Sequence, residues 1–281
     1  AEMWAGTSAD GAIALMEALP ARFGSLAVRD LVERLLVTTA IPPEGAGPDF
    51  GYRRVAALIG IGAVEPAVEL RGDLPFSEED VALWVENDLA FLTGRTEAGC
   101  DQAAAIQRAA PGMRPNQILA ACHALRGNHD VADRAFRFLA EEGEGDPLLR
   151  GLARALDGDV SAIDWSAGRM APIHVAVANA STQLPEASIL RLAHPGVQRA
   201  FAMTEGGGLE DKLVAAEAAV ASGALAPGVL AALYDAADTG GRLQDAAAAD
   251  PDMLTALDRA ALYQAISDAG SAILILQAAQ T

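Results

Sequence analysis

Four glycines set the frame for this chain. Gly62, Gly94, Gly127 and Gly158 follow one another at spacings of 32, 33 and 31 residues. Each stands in the same local pattern of an apolar helix end, a glycine and a second helix. The four segments are Ala57–Leu70, Ala90–Ala103, Ala124–Arg137 and Ala155–Ser166. Glycine tolerates the left-handed backbone that ends a helix. Leu92, Leu125 and Leu156 stand two residues before their glycine, where they close a hairpin core. Five residues after the glycine come Ala67, Gly99 and Ala132, small enough for the second helix to lie close against the first. The fourth copy has Ile163 there, so the regularity is expected to fade. A recurring unit of about 33 residues predicts helix hairpins stacked into an α-solenoid.

Composition agrees with helix. Hydrophobic residues make up 52% of the chain but aromatics only 5%, and much of the rest is alanine. Alanine is the best helix former and permits close packing. Strand-like runs of β-branched and aromatic residues are scarce. The fold class expected is all-α. Residues 1–165 form the repeat region, and residues 166–281 a second helical region that either continues the solenoid or stands apart.

Outside the repeats, Ser8–Leu19 and Leu26–Val37 show helical spacing of leucine and alanine. Ile41–Pro48 reads as a loop, and Asp157–Pro172 as a hinge. Ser77 followed by Glu78, Glu79 and Asp80 reads as a helix start. Proline near their starts marks helices at Pro172–Asn179, Pro185–Leu192 and Pro195–Met203. Longer helices are predicted at Leu209–Ser222, Pro227–Ala236 and Leu254–Ser267, and a last apolar one at Ser271–Ala279, so that further residues are expected beyond Thr281. The sequence begins without methionine or a signal peptide, which leaves export open.

Charge excludes some partners. Acidic residues outnumber basic ones 38 to 20, for a net charge of −18, and Lys212 is the one lysine. A nucleic-acid binder needs a basic stripe to neutralise phosphates, so nucleic acid is rejected as a partner. An anionic membrane surface is disfavoured for the same reason. The apolar run Leu213–Tyr234 is broken by Glu217, two glycines and Pro227, so no insertion into a membrane is expected.

Cys100 and Cys122 are the only cysteines. They fall on consecutive predicted helices, Thr96–Ala109 and Pro115–Arg126, equally far from Pro111 in the turn between them. Residues equidistant from the turn of an antiparallel pair lie at the same height, within reach of a disulfide. Disulfides persist in oxidising compartments, so the expected location is periplasmic or secreted, with the cytoplasm as the alternative.

Motifs of catalysis are missing. The sequence has no H-E-x-x-H, no G-x-S-x-G and no Walker loop. Gly60-Ile61-Gly62 starts like a dinucleotide fingerprint but follows no strand. The histidines His123, His129, His174 and His194 lack paired metal-ligand spacing, and Cys122–His123 are chain neighbours rather than opposed groups. The run Glu141–Asp146 lacks the alternating ligands of a calcium loop. No catalytic residue, metal or cofactor is assigned.

Residues 50–165 resemble a degenerate tetratricopeptide array. The segment Gly127–Leu139, GNHDVADRAFRFL, is similar to that family's second helix, with the small residue at Ala132 and an aromatic at Phe136, and Pro111 falls where the family often ends a repeat. The large aromatic usual early in the first helix is missing from most copies, although Trp84 lies nearby. The second half resembles exported helical-repeat proteins of GC-rich bacteria and, in style, the helical ring of soluble lytic transglycosylases. No Glu-Ser pair of a muramidase site occurs. The resemblance implies a concave groove lined by first helices, which would hold Trp84, Asp88, Arg114 and Gln117. Trp165 in the hinge is a second aromatic candidate. The function expected is a non-catalytic protein- or peptide-binding scaffold of the bacterial envelope. The alternatives are an accessory subunit of an envelope or flagellar assembly, and the scaffold domain of a cell-wall-acting enzyme without its catalytic domain.

Overall fold

A computed structural model describes residues 3, 4, 6–167, 169–204 and 206–278, with side chains described as far as Ala269. Every regular element among them is helical. In order they are α1 (Ala9–Glu17), α2 (Leu26–Val37), α3 (Phe50–Gly60), α4 (Val64–Gly72), α5 (Asp80–Leu92), α6 (Thr96–Ala109), α7 (Met113–Leu125) and α8 (His129–Glu141). There follow α9 (Pro147–Ala155), α10 (Pro172–Ala180), α11 (Ala187–Leu192), α12 (Pro195–Ala202), α13 (Leu209–Ala221), α14 (Pro227–Ala236), α15 (Leu243–Ala248) and α16 (Ala256–Ala278).

The four glycines do what the sequence requires of them. Their φ angles lie between +75° and +93°. At the first, the Gly62 amide donates to the Ile59 carbonyl and the Ala63 amide to that of Leu58, both at 2.9 Å. This double bond satisfies carbonyls that the helix end leaves over. The second of these bonds, which reaches back five residues, recurs from Arg95 to Ala90, Asn128 to His123 and Asp159 to Arg154. Three hairpins result: α3 with α4, α5 with α6 and α7 with α8. Ala67 and Ala132 are buried at the close-approach position. A Cβ added to Gly99 would sit 2.7 Å from the Phe91 ring.

The fourth copy departs from the pattern. After Gly158 the chain makes a 3-10 turn, Val160–Ala162, which folds back on α9 instead of starting a second helix. Elsewhere α2 has the predicted bounds, and α10, α12 and α14 start on Pro172, Pro195 and Pro227. Ser77 accepts from the Glu79 amide, but α5 begins later, at Asp80. The two helices expected after Leu254 are one, α16, with Gly270 inside it; of the predicted segment, Ala279 lies outside the described residues. A single internal glycine costs a helix only about 1 kcal/mol, too little to force a break.

Cys100 on α6 and Cys122 on α7 are bonded, with Cα atoms 5.8 Å apart and both side chains buried. The bridge staples the second helix of one hairpin to the first helix of the next.

The centre of the molecule is α10. Ile173 through Ala178 are all buried, so the helix has no solvent face. A helix apolar all round must be covered on every side. It packs on α5, α7, α9 and α12. Thus α10 covers part of α5 and α7, the first helices of two hairpins. His174 is buried with it, its Nδ1 accepting from the Ala171 amide and its Nε2 3.1 Å from Asp146. Asp146 also caps α9 through the Leu149 amide at 2.9 Å. Burial raises the Asp146 pKa, but His174 and the backbone amides outweigh it and leave the carboxyl below its ordinary value.

Candidate functional site

The second half closes a cavity of about 860 Å³ against the first. Three walls form it. The end of α3 contributes Ile59 and Gly60, and α5 contributes Asp88 and Leu92. The segment before α10 brings Trp165, Arg169 and Met170, and α11 and α12 bring Ile189, Leu192, His194 and Val197. The lining is mostly apolar, with a few charged or polar groups among it, which is the usual make-up of a binding pocket.

His194 builds the corner where α12 meets the first half. Its Nε2 donates to the Gly60 carbonyl at 2.8 Å and its Nδ1 accepts from the Gly196 amide at 3.2 Å. The second bond caps α12 and places the ring proton on Nε2. Burial lowers the His194 pKa, the Gly60 bond opposes this, and nearby Arg22 lowers it further. Gly62 belongs to the same corner, because a Cβ there would come within 2.6 Å of Pro195. Arg199 on α12 pairs with Glu65 on α4. Across the mouth, the Arg22 guanidinium donates to the carbonyls of Arg191 and Ala193, which α11 leaves over at its end.

Among the described residues, Asp88 is the one carboxylate in the lining. Only 23% of its side chain is exposed, and it lines the cavity. This burial pushes the carboxyl pKa up to about 6, against the pull of Arg114. The Arg114 guanidinium lies 3.5 Å from Asp88 and stacks over the Trp84 ring, 4.0 Å from its centre. Trp84 and Asp88 are one helical turn apart on α5, so they share a face.

Three of the four residues predicted for a groove, Trp84, Asp88 and Arg114, therefore form one cluster, and Asp88 joins it to the cavity. Gln117 is held elsewhere: its amide donates to the Glu144 carbonyl in the turn between α8 and α9. Trp165 lies in the cavity wall. The sequence reading missed Leu192, Met170, Arg169 and His194 as site residues. The His194-Pro195 step signalled a helix start, but its partner Gly60 is 134 residues away.

Among the described residues no group of three His, Cys, Asp or Glu is placed to hold a metal ion. Among them, too, no helix is long and apolar enough to cross a membrane. The fold and cavity define an all-helical protein with an open, mainly apolar cleft into which the partly buried carboxylate of Asp88 projects. No protein-family model, no curated protein and no solved structure matches the chain.

Proposed function

We propose that this chain is a non-catalytic binding scaffold that takes a short apolar segment of another protein or peptide into the cavity between α3, α5, α11 and α12. The observation that carries the reading is the cavity itself. At about 860 Å³ it falls within the roughly 300–1,000 Å³ of ordinary binding pockets. That volume suits a few side chains rather than a whole helix. Leu192 is 81% exposed at its edge, an apolar contact left open in the free protein. Asp88 is held where its charge is costly, and an exception to good burial is expected at a functional position. Both ring nitrogens of His194 are engaged with backbone, which favours a positioning role over proton transfer.

The hairpins before the cavity form a tetratricopeptide-like solenoid on this reading, with α10 filling the groove such arrays leave open. The partner then docks at the side of the array, beside Trp84 and Arg114, rather than along it. The disulfide supports an oxidising location, so the partner is sought in the periplasm or outside the cell. Peptides selected by phage display against the oxidised protein, followed by titration of tryptophan fluorescence, test the proposal. Binders are expected to lose about tenfold or more in affinity to Leu192→Glu, a loss of 1.4 kcal/mol or more. Selection that yields no binder, or only binders indifferent to this substitution, overturns it.

A further inference from the structure

The charge of the cavity runs against that of the protein. The chain has a net charge of −18, yet among the described residues two arginines, Arg22 and Arg169, line the cavity against the single carboxylate of Asp88. Asp88 already has the Arg114 guanidinium 3.5 Å away. Of the two lining arginines, Arg22 is committed to the carbonyls of Arg191 and Ala193. Arg169 is not. It is exposed, stands two residues before Ala171, the N-cap of α10, and has no hydrogen-bond or ion-pair partner among the described residues.

We infer that Arg169 is the anchor for a carboxylate, and that the segment taken into the cavity is the C-terminal end of a partner chain. Its last apolar side chain enters the cavity and its terminal carboxylate meets the Arg169 guanidinium. The inference rests on the cavity being the binding site proposed above. A guanidinium offers parallel N–H groups that match the two oxygens of a carboxylate. An unpaired one gains this bond without first losing another within the protein.

The rest of the lining selects the kind of carboxylate. Ile59, Leu92, Met170, Ile189, Leu192 and Val197 are apolar, and about 860 Å³ holds only a few side chains. A terminal residue carries its carboxylate and its apolar side chain on one Cα, so a small cavity engages both at once. An internal Asp or Glu spends its own side chain on Arg169 and brings no apolar group with it. Capture of a chain end by its carboxylate is a recurring mode of peptide recognition.

Short acetylated peptides with the last positions varied over Ala, Val, Leu, Ile, Met and Phe test the inference, each made as free acid and as amide. Mass spectrometry of the peptides retained by the oxidised protein is expected to find the acids enriched. For the tightest of them, amidation is expected to weaken binding about tenfold. Arg169→Gln is expected to abolish this preference and to leave the affinity of the amide as it was. Arg134 on α8 is also exposed and unpaired but lies outside the cavity lining. Arg134→Gln removes the same charge and is expected to leave the preference intact. Acids and amides held equally, or a preference that survives Arg169→Gln, overturn the inference. If binding is then still lost to Leu192→Glu, the cavity remains the site and only its reading of the chain end fails. Retention of neither form overturns both. A protein that binds dodecanoate and no peptide acid overturns the inference in favour of a lipid acid.

Discussion

Asp88 shows how one side chain couples stability to the cavity. Its folded pKa of about 6 lies above the ordinary 3.8, so the folded protein binds this proton more tightly than the unfolded chain does. Below about pH 4 both states hold the proton, and the position costs nothing. As pH rises from about 4 to 6 the unfolded chain ionises first, and stability falls. Above about 6 the cost is complete. Asp88→Asn removes it and is predicted to stabilise the protein by about 2 kcal/mol at pH 7.5, with little effect at pH 4. Urea unfolding at the two pH values reads this out, and an equal effect at both would contradict it. The proximity of Trp84, Asp88 and Arg114 was legible because two of them share a helix face and the third sits one repeat on. The capture of Gln117 was not legible, since it depends on a backbone carbonyl in the α8–α9 turn.

At the scale of elements, the sequence is clearest where one residue type has one geometric use. The turn glycines belong to this class, and so do the prolines that open α10, α12 and α14. The cysteine pair is a third case, because equal distances from a turn fix equal heights on two antiparallel helices. Denatured, unreduced protein is predicted to take up no alkylating reagent, and reduced protein two equivalents by mass. Reduction is also predicted to lower stability by about 3 kcal/mol, the entropy of a loop of this length. Two adducts without reduction would contradict the bond. What stayed hidden has a local cause. Short α15 buries only Ala246 and shows no periodicity to read. The 3-10 turn after Gly158 replaces a helix where Ile163 holds the position that a small residue fills elsewhere.

Across the whole molecule, the decisive event is non-local. The apolar character of α10 is plain in its sequence, but nothing in that sequence says which helices cover it. By packing on α5, α7 and α9, α10 covers those helices, and the chain after it lines a cavity at the side. The all-α class was therefore legible and the cavity was not, because its walls come from segments as far apart as Gly60 and His194, separated by 134 residues. Hydrogen exchange with and without a display-selected peptide tests the account most directly. New protection is predicted in residues 165–172 and 187–197 and around Asp88 on α5, with α6 and α8 unchanged. Protection that runs along the hairpins instead, or none in the cavity walls, would contradict the claim that this cavity is where the protein binds.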